Sequence, residues 1–168
     1  ARQMHPLTLL QNERQAQRQL CSDLEDMANQ LREGIDQSLC RATRECLQED
    51  LPWFHRHEET FFALLEREHP LSSVFAPGVR LAIDEHSIIE TYVFDLGEWL
   101  DGACRGVRPR NIEAAAYALR CSFDGMRRHL NWEDAMLIPA LSTVVTPGNV
   151  AFLAEQLAKD RRKTSSHH

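Results

Sequence analysis

Three histidines in this chain stand four residues ahead of a glutamate: His55–Glu59, His86–Glu90 and His129–Glu133. Residues four apart project from the same side of an α-helix. If a helix turns that side inward, each pair can grip one ion or one adjacent pair of ions. On an outer face the same spacing is a solvated ion pair. A mixed imidazole and carboxylate set suits iron or manganese, with zinc as an alternative, and bridging glutamates suit a dinuclear centre. Without a cation, each buried unpaired carboxylate costs on the order of several kcal/mol and must protonate or pair.

The helices that carry these pairs decide between the two readings. Helical periodicity dominates, and no window alternates with period two over strand length. A first helix is expected from about Pro6 to Arg32, with Leu10, Gln17, Leu20, Leu24, Met27 and Leu31 on one seam and Gly34 as its stop. A second is expected from about Gln37 to Glu68, kinked or split at Pro52. The stretch from His69 to Ser73 reads as a loop. Pro77 suits the first turn of a third helix, whose seam is Val79, Ala82, His86, Ile89, Val93, Leu96 and Leu100. Asn111 can cap a fourth, with Leu119, Ser122, Met126, His129, Glu133 and Met136 on its seam. Thr146-Pro147 opens a shorter fifth. The fold expected is all-α, an up-down-up-down four-helix bundle with a short C-terminal helix.

All three pairs fall on the inward seams, between Leu51 and Phe62, on either side of Ile89, and between Met126 and Met136. They are also level. His86 and His129 lie at equal distances from the loop near residues 107 and 108, so antiparallel packing sets them opposite each other. The position opposite His55 on the first helix is residue 13 or 14. The halves form a weak internal repeat, in which NERQ (12–15) stands where DEHS (84–87) stands and FHRHEE answers RHLNWE. Hydrogen-bonded core residues and salt bridges remain the alternative to a metal centre.

Composition bounds the rest. The chain has 168 residues, 43% hydrophobic and 26% charged, which suits one domain with a well-buried core. No apolar run approaches the roughly 18 residues that span a bilayer, and ARQMHPL lacks a signal-peptide core. The net charge of -6 argues against nucleic acid or an anionic membrane as partner. Five cysteines (21, 40, 46, 104 and 121) form no metal-knuckle spacing. Their odd number leads to an expectation of reduced thiols and a cytoplasmic location, with Cys121 read as a small buried hydrophobe rather than a redox sensor. Residues 5–160 are expected as the domain and 161–168 as a flexible tail, so His167 and His168 are set aside.

The stretches DLPWFHRHEETFFALL (50–65), DEHSIIE (84–90) and HLNWEDAMLIPAL (129–141) together resemble the hemerythrin-like, HHE cation-binding family. The resemblance covers about residues 5–160. It implies a non-haem di-iron site inside the bundle, with oxygen, peroxide, nitric oxide or iron bound or sensed among relatives. Carried over by motif, His55, His86 and His129 are terminal ligands and Glu59 and Glu133 bridge, while Glu90 stands where many members have a second histidine. One departure concerns the first helix, where relatives carry a histidine and this chain reads Glu13-Arg14. Either Glu13 ligates and Arg14 snorkels outward, or Arg14 replaces one metal by pairing with Glu59 or Glu133 and the site holds one ion or none. His5 lies about 12 Å along the helix from Glu13, too far to supply the missing imidazole.

Other residues take plainer readings. His57, about 200° round the helix from His55, is expected to face solvent. Glu58 is read as a supporting or solvated carboxylate. Trp53, Trp99, Trp132, Phe61, Phe62, Tyr92 and Tyr117 are read as packing residues. Lys159, Arg161, Arg162 and Lys163 are read as a solvated run on a fifth helix that can dock on the bundle or face a protein partner. Two functions outside simple ligand binding stand beside the sensor reading: a di-iron peroxidase or oxidase, and a metal-poor bundle acting through a partner.

Overall fold

The computed structural model describes residues 4–68 and 75–165. Among these residues there are helices and no strands: α1 Pro6–Gln30, α2 Gln37–Glu45, α3 Leu51–Glu68, α4 Ala76–Ala103, α5 Ile112–Trp132, α6 Ile138–Ser142 and α7 Val150–Ser165. Two five-residue π-turns, Cys46–Asp50 and Glu133–Leu137, join α2 to α3 and α5 to α6 without a break. The bundle therefore has four long arms: α1, α2–α3, α4 and α5–α6. The expected loop at His69 to Ser73 lies outside the described residues. None of the described helices is long and apolar enough to cross a membrane.

Local chemistry sets the ends of these arms. His5, rejected as a ligand, caps α1 by accepting from Leu7 N through its own Nδ1. Asp36 accepts from Leu39 N at 2.7 Å and Asn111 from Ala114 N at 2.9 Å, caps worth about 1 kcal/mol each. The α4 terminus folds back through Val107 N to Gly102 O and Gly106 N to Ala103 O, with Gly106 at φ +79. This closing motif requires a left-handed residue, which glycine supplies without strain.

The interruption expected at Pro52 takes the form of a π-turn. The turn ends immediately before the proline, with Leu51 N bonded to Cys46 O, five residues back. The longer turn moves the preceding carbonyls away from the proline ring, which an ordinary α-turn would clash with. The second π-turn precedes Pro139 in the same manner, with Ile138 N bonded to Glu133 O. It also corrects one seam residue. Leu137 is buried and Met136 is 63% exposed, because the extra residue in the turn moves the inward position along by one.

The apolar core is in two parts. One contains Leu20, Leu24, Leu51, Ile89, Leu96, Met126 and Leu130. The other contains Leu10, Phe61, Phe62, Ala82, Leu137, Leu153 and Leu157, so α7 docks on the bundle through its apolar stripe. Since α7 runs to Ser165, residues 161–165 continue a helix where a tail was expected. Between the two apolar parts lies a layer of buried polar side chains: Arg14, Gln17, His55, Glu58, His86, His129 and Glu133.

Candidate metal centre

The polar layer draws donors from three arms. Ligand atoms of Glu58, His86, His129 and Glu133 all lie within 4.8 Å of one another, and all four residues are buried. His86 Nε2 is 3.2 Å from Glu58 Oε1, and His129 Nε2 is 3.1 Å from Glu133 Oε1. His55 joins the same layer. Its ring stacks on His86 with centroids 4.1 Å apart and meets His129 edge-on at 6.5 Å.

Each imidazole is anchored from outside by a carboxylate of another arm. His55 Nδ1 donates to Glu90 Oε1 at 2.8 Å, His86 Nδ1 to Glu59 Oε1 at 2.8 Å and His129 Nδ1 to Glu85 Oε2 at 2.7 Å. A carboxylate accepts only, so each Nδ1 must carry the proton. In a neutral ring that leaves Nε2 with its lone pair free. This is the carboxylate–histidine arrangement that orients metal-binding imidazoles.

The carboxylates therefore divide differently from the expectation. Glu133 is an inner residue, as its spacing predicted. Glu59 and Glu90 are outer residues, partly exposed, whose contacts are with histidine Nδ1 atoms. Glu58, expected to support or face solvent, holds the inner position. The reason is helical phase: with ~100° per residue, Leu51 to residue 58 returns to within about 20° of the seam, whereas residue 59 overshoots by about 80°. The alternation 51, 55, 58, 62, 65 matches the residues the bundle buries.

His57 is a second correction. It is fully buried, with Nδ1 donating to Glu13 Oε1 at 2.6 Å and its ring stacked on Trp53 at 5.0 Å. The face of α3 through His57 continues to Phe61 and Leu64, which are also buried. This helix thus hides two stripes, and an amphipathic reading that allows one places the second in water. Glu13 accordingly meets His57, and does not belong to the four-donor group. Arg14 does not snorkel. It is buried, and its Nε donates to Asp134 Oδ1 at 2.8 Å, the same carboxylate that Arg18 meets. It pairs with neither Glu59 nor Glu133. Adjacency of Glu85 to His86 was visible in the sequence, but nothing in a linear pattern told that Glu85 serves the other histidine.

The electrostatics show what this cluster lacks. Burial and the Glu58 carboxylate beside it push Glu133 up to about 10, so it keeps its proton at neutral pH. Burial also opposes the Glu58 anion, but the neighbouring His86 and Glu133 side chains favour it and prevail, holding it at about 2. Burial works against the His86 cation as well, and Glu58 and Glu59 overcome it, raising His86 to about 9. His55 and His129 are lowered, first by burial, and are neutral near pH 7. Protons thus occupy the middle of the site. Even so, His55 Nε2, Glu58 Oε1, both Glu133 oxygens and Arg14 Nη1 are buried without a hydrogen-bond partner. Orphaned buried polar atoms are rare and costly. A group of two imidazoles and two carboxylates, with unmet oxygens on both carboxylates, fits one divalent cation.

The internal repeat is also re-registered. Because Glu58 answers Glu133, FHRHEE (54–59) stands against HLNWED (129–134), one residue from the expected alignment. Where the second half supplies His86 and His129, the first supplies Arg14 and Phe54.

The family model described as the hemerythrin HHE cation binding domain matches residues 5–141. No curated protein matches, and no solved structure matches.

Proposed function

This chain belongs to the hemerythrin HHE cation-binding family, and from that premise we propose that it holds one non-haem iron ion and binds or senses a small ligand there: oxygen, a peroxide or nitric oxide. Glu58, His86, His129 and Glu133 would hold the ion, with His55 beside them as a further donor. The observation that carries this reading is the convergence of four buried donors from three arms, with the histidines fixed by outer carboxylates. Iron bound there supplies a redox-active Lewis acid with coordination positions left for a small molecule.

The unequal halves support one ion rather than two. A second ion would need imidazoles from the first half, which has Arg14 and Phe54 at the corresponding places. A guanidinium stays protonated and does not ligate metal. Arg14 instead places a fixed positive charge near Glu133, whose anion it favours. The rest of the chain orders the site. Glu85 and Glu59 set the tautomers of His129 and His86, and the two apolar clusters keep bulk water from the polar layer.

Metal analysis of protein purified anaerobically from iron-replete cells tests this. Close to one iron per chain is expected; less than about a tenth of an equivalent in folded protein sinks the proposal. Close to two would restore the dinuclear reading. A reversible spectral change with oxygen or nitric oxide supports a binding or sensing role, whereas sustained peroxide turnover supports a peroxidase.

One observation favours a metal-poor bundle acting through a partner: Glu133 can satisfy part of the cluster by keeping its proton. Arg14→His separates the readings. If Arg14 is the lesion in a lost site, this change raises metal content from near zero; if the native site already holds one ion, content starts near one.

A further inference from the structure

Away from the polar layer, two thiols are in contact. Cys40 on α2 and Cys104 at the C-terminal end of α4 are buried, with Sγ atoms 3.0 Å apart. Both are free cysteines, and α2 packs directly on α4. A disulfide bond measures ~2.05 Å, so the sulfurs need approach by only about 1 Å. A cavity lies beside the pair along the chain. Ala103 and Gly106, either side of Cys104 in sequence, line this cavity of about 260 Å³, which also touches Gln37. The two thiols differ in character. Cys40 Sγ lies within reach of Leu100 O at 3.7 Å, and burial together with Cys104 pushes its thiol up to about 12. Cys104 is the last residue of its helical turn, and Arg41 donates to its carbonyl at 3.4 Å.

From this juxtaposition we infer that Cys40 and Cys104 are a redox modification site, joined as a reversible disulfide by a hydroperoxide. Cys104 Sγ attacks one peroxide oxygen, the O–O bond breaks, and the departing hydroxide takes the Cys104 proton to leave as water. Cys104 is then a sulfenic acid. Cys40 Sγ, whose proton passes to the leaving hydroxide, bonds to Cys104 Sγ as the S–O bond breaks, and a second water forms. Two thiols and one hydrogen peroxide become one disulfide and two waters, and a dithiol reverses the change. The cross-link ties the arm bearing His55 and Glu58 to the arm bearing His86. Cys104 lies 18 residues from His86 on the same helix, about 27 Å along its axis, so the thiol chemistry does not depend on a metal.

The test is a thiol count and a disulfide map on the reduced chain before and after one equivalent of hydrogen peroxide. Titratable thiols should fall from five to three, and a single cross-linked peptide should join Cys40 to Cys104. Closing a segment of about 65 residues should raise the melting temperature on the order of 10 °C, reversed by dithiothreitol. In Cys40→Ser, a dimedone adduct should appear on Cys104 and no disulfide should form. Five thiols remaining in the native sequence, or a link between any other pair, overturns the assignment. Both results are read on the unmodified sequence, so poor folding of a variant does not blunt them.

Discussion

Glu58 and Glu59 differ by one residue in sequence and by their place in the site. Glu58 is 3% exposed and faces His86 Nε2, whereas the Glu59 side chain is 35% exposed and holds His86 Nδ1 from outside. Their amides should separate the two roles. Glu58→Gln is expected to lower iron affinity by more than about 100-fold, and Glu59→Gln by about 10-fold, the range for an outer carboxylate. Competition with a chelator of known affinity measures both, and a larger loss in Glu59→Gln would mean that Glu59 is the ligand. Asp134 is the other telling side chain. It is the acceptor for buried Arg14, and Asp134→Asn should cost about 1–3 kcal/mol in a denaturant titration, since a buried guanidinium is left with a weaker partner.

At the scale of elements, the π-turns reconcile prolines with continuous arms. The turn at Glu133–Leu137 starts at an inner donor, and it lets His129, Glu133 and Leu137 share one seam at successive spacings of four. In an unbroken α-helix two such steps would drift by about 80°. Met136 is the residue that the turn sets outward. Deleting it should convert the turn to ordinary α-helix, with Leu137 now three places after Glu133 and still on the seam. The protein should therefore keep its helical circular dichroism and lose metal uptake as Glu133 shifts. Deleting exposed Arg120 instead rotates the remainder of α5 by about 100° against its partners, and that chain should not fold.

For the whole molecule, the polar layer ties stability to pH. The Glu133 proton is held to about 10 in the folded, metal-free chain but leaves near 4.5 when unfolded. Stability must therefore fall as pH rises between those values. His86 adds to this, because its contribution is complete below 6.5 and is lost as pH rises through about 9. Glu58 acts in the opposite direction, its contribution being present above 4.5 and lost as pH falls towards about 2. Metal-free protein should accordingly show a falling melting temperature from pH 6 to 9, and Glu133→Gln should remove much of that slope. A divalent ion must displace the protons of Glu133 and His86. Affinity should then rise with pH, and calorimetry in buffers of different ionisation heat should report about two protons released per ion.

The chain's apolar periodicity determined the four arms by itself, because a helix with one greasy stripe has few ways to bury it. Leu20, Leu24, Ile89, Leu96 and Leu119 could be placed from spacing alone, and so could the inward turn of His55, His86, His129 and Glu133. Their common level followed from the loop positions. Spacing could not divide the carboxylates, since positions three and four residues from a histidine both lie within about 60° of it on the same face. Only packing against the other arms fixes that angle. It put Glu58 inside, made Glu59, Glu85 and Glu90 anchors for histidines of other arms, and matched Glu13 with a buried His57. Those pairings join residues 27 to 44 positions apart, between side chains whose azimuth no local pattern specifies, and so the tertiary structure alone decided them.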